Sequence, residues 1–161
     1  MSMIACFRRV PDDVLQNLLA SPEQLPDFLE EEGFADLDID KAWHALHFFL
    51  TGTAWEGEPP LDFLVKGGTE VGDVDMGYGP ARGFTSQEVQ LLWGALKPRT
   101  ASTLRSAYNP ERMRELEIYP DGWRSAAEDH LDDYFLFYFD ELRQFIEGAV
   151  REREALLVWL S

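Results

Sequence analysis

Five of the six residues from Tyr134 to Phe139 are aromatic, and they sit inside the longest run of helical periodicity in the chain. Leu131, Tyr134, Phe135, Tyr138, Leu142, Phe145, Ile146 and Ala149 recur at three- and four-residue steps, which places them on one helix face. Phe137 and Phe139 widen that face. A helix so broadly apolar must be covered on more than one side, so other elements have to pack around it. The pattern predicts a helix from Ser125 to Glu152 whose aromatics serve the core rather than a ligand box.

Two apolar segments at the chain ends supply a sheet. Ser2 to Val10, bounded by Pro11, and Ala155 to Leu160 read as strands and are expected to be neighbours. A brief third strand is expected at Arg82-Gly83-Phe84. Between them, Pro11 opens a helix carrying Val14, Leu15, Leu18 and Leu19, and Ser21-Pro22 starts a second through Leu29 with Gly33 as its C-cap. Asp38 reads as the N-cap of a helix from Ile39 to Thr51 that stops at Gly52. A short helix is expected from Pro59-Pro60 through Leu64. Thr85-Ser86-Gln87-Glu88 is a capping box that launches a helix to Leu96. Shorter helices follow at Ala101 to Tyr108 and, capped by Asn109, as far as Ile118; Tyr119 to Gly122 is a turn. Six of the 17 residues from Gly67 to Gly83 are glycine, which makes that stretch a loop. No repeat or linker divides the chain. The expected fold is a single α+β domain over residues 1–161, predominantly helical, with a small sheet from N-terminal, central and C-terminal strands.

Thirty acidic side chains against 14 basic ones give a net charge of −16, which excludes nucleic acid or anionic lipid bound through a general basic surface. The imbalance is uneven: residues 1–80 hold 16 acids and 4 bases, and residues 81–161 hold 14 acids and 10 bases. A basic protein is the expected partner. Cys6 is the lone cysteine, so no intramolecular disulfide forms and a reducing compartment is expected. The first nine residues are too short an apolar run for a signal peptide, and no stretch reaches the roughly 20 apolar residues of a membrane span. The expected location is the cytoplasm.

The helix after Asp38 holds the main polar constellation. Projected at about 100° per residue, Ile39, Trp43, Leu46 and Leu50 form a buried face, with Asp40, His44, His47 and Thr51 on an adjoining stripe. Asp40, His44 and His47 are therefore the candidate catalytic residues, an acid beside two imidazoles being the minimal kit for proton transfer. Thr51, Arg82 and Tyr119 are the candidate ligand contacts. Histidines one turn apart also suit a metal, but no second ligand cluster identifies itself, and neither metal nor cofactor is assigned. The simpler role of His47, at the margin of the apolar stripe, is a half-buried imidazole bonded within the fold. Gly77 to Gly83 lacks the Gly-Lys-Ser/Thr ending of a phosphate loop, and no G-x-S-x-G elbow is present.

Several segments carry a family resemblance: Met3-Ile4, Leu37-Asp38-Ile39-Asp40-Lys41-Ala42-Trp43, Leu46-His47-Phe48, Leu50-Thr51-Gly52-Thr53 and Glu117-Ile118-Tyr119-Pro120. In order and spacing they resemble the YfbM-like family of uncharacterised bacterial proteins, over essentially the whole chain. The resemblance implies a compact α+β bacterial protein and carries over no catalytic residue. The charge leads to a non-catalytic acidic binding protein of the bacterial cytosol, an inhibitor or immunity-type protein for a basic partner. The alternative is a small-ligand-binding or metal-assisted hydrolytic enzyme working from Asp40, His44, His47 and Thr51. The surroundings of the two histidines discriminate between them.

Overall fold

The two ends of the chain lie side by side in the computed structural model, which describes residues 2–161. Strands β1 (Ala5–Val10), β2 (Asp36–Asp38), β3 (Thr69–Glu70), β4 (Arg82–Phe84) and β5 (Ala155–Leu160) form one antiparallel sheet in the order β2-β1-β5-β4-β3. The terminal strands pair along their full length, from Ala5 opposite Leu160 to Val10 opposite Ala155. Helices α1 (Asp12–Ala20), α2 (Leu25–Leu29), α3 (Trp43–Thr51), α4 (Ser86–Leu96), α5 (Ala101–Arg105), α6 (Pro110–Glu115) and α7 (Phe137–Arg151) complete the domain. The expected α+β class and three-part sheet are observed, with β2 and β3 added at the two edges.

Strand alternation divides the core in two. Phe7, Phe84, Leu156 and Val158 face the larger cluster, built on α3, α4 and α7. Val10, Ala155 and Leu157 face the smaller one, with Leu15 and Leu18 of α1 and Leu25 of α2. α4 begins at the predicted capping box: the Thr85 side chain accepts from the Glu88 N–H, and Glu88 accepts from the Thr85 N–H. Asn109 likewise caps α6, accepting from the Arg112 N–H.

The smaller layer is pinned by an arginine inside the sheet. Arg8 is buried; its guanidinium forms a two-point pair with Asp36 and donates to the carbonyls of Phe28, Leu29 and Glu31. Its Cζ lies 5.1 Å from the ring centroids of both Phe28 and Phe34. The C-terminal carbonyls of α2 are thus satisfied by Arg8, and not by the expected cap at Gly33, which lies beyond the helix end.

Three predicted helices differ. The helix assigned to Ser125–Glu152 is regular only from Phe137. His130 adopts a left-handed φ of 58°, and Leu131–Leu136 form a π-helical stretch with the Phe135 N–H reaching the His130 carbonyl. The wider turn lets Leu131, Phe135 and Leu136 all be buried while Tyr134 faces a different neighbour. Pro59 to Leu64 forms successive turns, because consecutive prolines lack the N–H groups a helix needs and Gly67-Gly68 ends the segment. Asp38 lies at the end of β2 and does not cap a helix: its carboxylate accepts from the Asp40 N–H at 2.6 Å in a tight turn.

Gly83 lets Leu15 of α1 pack directly on the backbone of β4. A Cβ at this position would stand 2.4 Å from Cδ1 of the fully buried Leu15. Gly83→Ala is expected to destabilise the domain by about 1–3 kcal/mol through overpacking. Urea unfolding measures it, and a loss below about 0.5 kcal/mol would mean that α1 yields freely there.

Candidate functional site

Every residue of α3 from Trp43 to Leu50 is buried, because the sheet, α5 and the loops on either side of the helix enclose it. No exposed histidine stripe survives such enclosure. His44 and His47 are 1% and 0% exposed, and each must find its partners inside the protein.

His44 has both ring nitrogens occupied. Nδ1 accepts from the Tyr119 N–H at 2.8 Å, and Nε2 lies 2.8 Å from the Ala54 carbonyl. A carbonyl only accepts, so Nε2 carries the proton and Nδ1 offers its lone pair. The bond at Nδ1 requires the neutral ring, since a protonated Nδ1 cannot accept. Burial lowers the pKa of His44 below 6.5, against a smaller opposing effect of the Ala54 carbonyl.

His47 is more isolated. Its Nε2 lies 3.3 Å from Thr51 Oγ1, and Nδ1 is buried with no partner among the described residues. Thr51 spends its hydroxyl proton on the His47 carbonyl at 2.9 Å, which leaves its oxygen to accept from Nε2. Burial foremost pushes the His47 pKa down to about 4, with the nearby His44 and Lys66 adding to the effect and the Glu56 carbonyl opposing it.

Asp40 does not join the histidines. It turns the chain with a left-handed φ of 51° ahead of α3, so a helical projection does not apply to it. Its Oδ2 accepts from the Tyr134 hydroxyl at 2.7 Å, and that oxygen accepts in turn from the Lys41 N–H. The predicted Asp40–His44–His47–Thr51 stripe is therefore divided: Asp40 faces the π-helical stretch, while His47 and Thr51 serve each other. Arg82 lies elsewhere, donating to the Gly67 carbonyl beside Glu70, Tyr78 and Trp159. Among the described residues, no three His, Cys, Asp or Glu side chains converge in a metal-binding group.

Tyr119 is the candidate that does meet His44, and together they border a cleft of about 660 Å³. The Tyr119 ring stacks on Trp43 at 5.9 Å, its hydroxyl accepts from the Met3 N–H, and Trp43 Nε1 donates to the Met3 carbonyl. Trp55 covers the His44 ring at 4.3 Å while remaining 56% exposed. On the other side Trp123 donates from Nε1 to the Ile118 carbonyl, and Arg114 donates to the Trp123 carbonyl. Glu117 and Asp121 line the mouth with φ angles of 54° and 108°. Such conformations cost non-glycine residues about 1–3 kcal/mol each, and surrounding contacts must sustain them. Trp55, Trp123 and Asp121 escaped the sequence reading: Trp55 follows a glycine-threonine turn with no periodicity to mark it, and the other two gain their roles only through contacts distant in sequence.

Three of the segments that carried the resemblance meet at this cleft: Met3, Trp43 through its packing on Tyr119 and Trp55, and Glu117 to Pro120, whereas Thr51 and Thr53 lie with His47. The domain-of-unknown-function family DUF1877 matches residues 1–159. The chain belongs to this family. Among its relatives is protein YfbM of Escherichia coli strain K12, 32% identical over 124 residues that span 74% of each chain. The crystal structure of Escherichia coli YfbM, described as a protein of unknown function, aligns with a TM-score of 0.77 at 27% identity, covering 98% of this chain and 99% of that one. The DUF1877 fold is thus shared over nearly the whole chain.

The buried imidazoles make a pH prediction. Between pH 6.5 and about 4 the unfolded chain binds a proton at His47 that the native state refuses. The contribution of His47 to stability is therefore fully present above pH 6.5 and is lost as the pH drops towards 4, by roughly 3 kcal/mol. His47→Leu removes the titrating group and is expected to flatten that part of the decline in urea unfolding measured against pH. Parallel curves for the two proteins would show that His47 is not held neutral.

Proposed function

We propose that this DUF1877 protein is a non-catalytic binding protein of the bacterial cytosol that engages a basic protein partner, acting as an inhibitor of the surface it covers. The observation that carries the reading is the use of its charges. Arg8, Arg9, Lys66, Arg105, Arg112, Arg124 and Arg151 each face a carboxylate. Arg82, Arg114 and Arg143 donate to main-chain carbonyls. The cations are largely spent within the fold, whereas the chain carries 30 acids against 14 bases. Glu30, Glu31, Glu32, Asp38, Glu117 and Asp121 are exposed and in no ion pair among the described residues. A surface with that surplus attracts a basic partner over distances comparable to the screening length.

The hydrolytic alternative draws no support from the geometry. It needs Asp40 and two imidazoles on one accessible face, and they are divided and turned inward. No helix among the described residues is long and apolar enough to cross a membrane.

The test is affinity capture from bacterial lysate at about 0.05 M salt, followed by stepwise elution. The retained proteins are expected to be basic and to elute as the screening length falls from roughly 14 to 4 Å, near 0.5 M salt. Retention of acidic proteins, or of a partner indifferent to salt, contradicts the proposal.

A further inference from the structure

The charge surplus describes a surface; the cleft beside His44 describes a socket in it. We infer that this cleft receives the side chain of an arginine or lysine projecting from the basic partner, with Trp55 as its aromatic wall and Glu117 and Asp121 as its counter-charges. The inference rests on the binding reading above and names the contact at its centre.

The combination of side chains carries it. Trp55 is the most exposed aromatic of the cleft, and its indole is supported from behind by the His44 ring at 4.3 Å and the Trp43 ring at 6.0 Å. A tryptophan fixed by such packing and still 56% exposed is a platform for a cation. Tyr119, stacked on Trp43, continues the wall. Glu117 and Asp121 line the same cleft, are exposed, and form no ion pair among the described residues. Aromatic and unpaired acidic residues lining one cleft select a positively charged group that also has an apolar stem, which is the chemistry of arginine and lysine.

Two further groups line the cleft and bear on its charge. His44 is held neutral by an N–H donated to Nδ1 and a carbonyl at Nε2, so it adds aromatic surface and no repulsion. Arg114 is positive, but its guanidinium donates to the Trp123 carbonyl and lies close enough to influence the Tyr108 hydroxyl, which donates to Asp129. Two carboxylates against this one guanidinium, itself tied to a main-chain carbonyl, leave the cleft net negative. Engagement by the partner would thus bury a side chain in a pre-formed site, with little reordering of the protein.

The probe is an acetylated and amidated peptide of three arginines flanked by glycines, titrated into the full chain at low salt. Binding is followed by tryptophan fluorescence and calorimetry, with circular dichroism as the check on folding. The same peptide with citrulline in place of arginine keeps shape and hydrogen bonding but loses charge. The arginine peptide is expected to bind, and the citrulline peptide to bind at least about tenfold more weakly. Trp55→Ala and the double variant Glu117→Gln/Asp121→Asn, all at exposed positions, are each expected to weaken arginine-peptide binding about tenfold. Glu30→Gln/Glu31→Gln removes the same charge outside the cleft and is expected to weaken it by less than about threefold. Equal losses from the two double variants, or no loss from Trp55→Ala, would overturn the socket while leaving the acidic binding surface standing. Equal binding of the citrulline peptide would overturn its cation selectivity. Failure of the arginine peptide to bind the unaltered protein would overturn both the socket and the reading on which it rests.

Discussion

His44 accepts a hydrogen bond on one nitrogen and donates on the other, and three segments of chain are positioned by that polarity. Through Nδ1 it holds the Tyr119 N–H at the start of the Tyr119–Gly122 turn, and through Nε2 it holds the Ala54 carbonyl next to Trp55. The two walls of the cleft are therefore fastened to one buried ring of α3. Each bond contributes about 1 kcal/mol net, but stranding either partner in the interior costs about 1–3 kcal/mol. That asymmetry locks the tautomer. The same ring packs between Trp43 and Trp55, so its protonation state governs both hydrogen bonding and the aromatic stack. A histidine used in this way is a positioning group, and its service to the cleft is what withdraws it from acid–base chemistry.

The rest of the architecture keeps α3 where that ring can act. The antiparallel pair of terminal strands places Phe7, Leu156 and Val158 beneath the helix layer, and Met3 continues past β1 to meet Trp43 and Tyr119. Arg8 holds α2 against the other face of the sheet through carbonyls and Asp36. Asp40 and Tyr134 join the start of α3 to the π-helical stretch. Among the described residues, Nδ1 of His47 is the one buried side-chain polar atom without a hydrogen-bond partner, and the side chains of these joints are paired. Such joints contribute specificity of arrangement more than net stability, which comes from the two apolar clusters.

Much of this fold was legible in the sequence wherever local chemistry decides. The Thr85–Glu88 capping box, the Asn109 cap and the apolar terminal segments are all short-range signals, and each appears where it was read. The brief central strand near Arg82-Gly83-Phe84, read at the end of the glycine-rich loop, is also present and pairs with β5. The misreadings occurred where a distant partner overrides local preference. Asp40 adopts a left-handed turn because the Asp38 carboxylate and the Tyr134 hydroxyl reward it, and no periodicity records either contact. The helical pattern before Phe137 is real, yet the need to bury neighbouring aromatics widens it into a π-turn. At the site, Tyr119 and His44 were separately singled out, but their hydrogen bond joins residues 75 positions apart. Trp55 gave no signal because exposed loop aromatics have no spacing to read.

The tautomer and charge of His44 are directly observable by nitrogen NMR of the imidazole ring. A neutral ring is expected at pH 7, protonated at Nε2 and bare at Nδ1, with its titration displaced below 6.5 by burial. A proton on Nδ1, or an ordinary titration centred near 6.5, would contradict it, because neither is compatible with a ring that joins Tyr119 to Ala54.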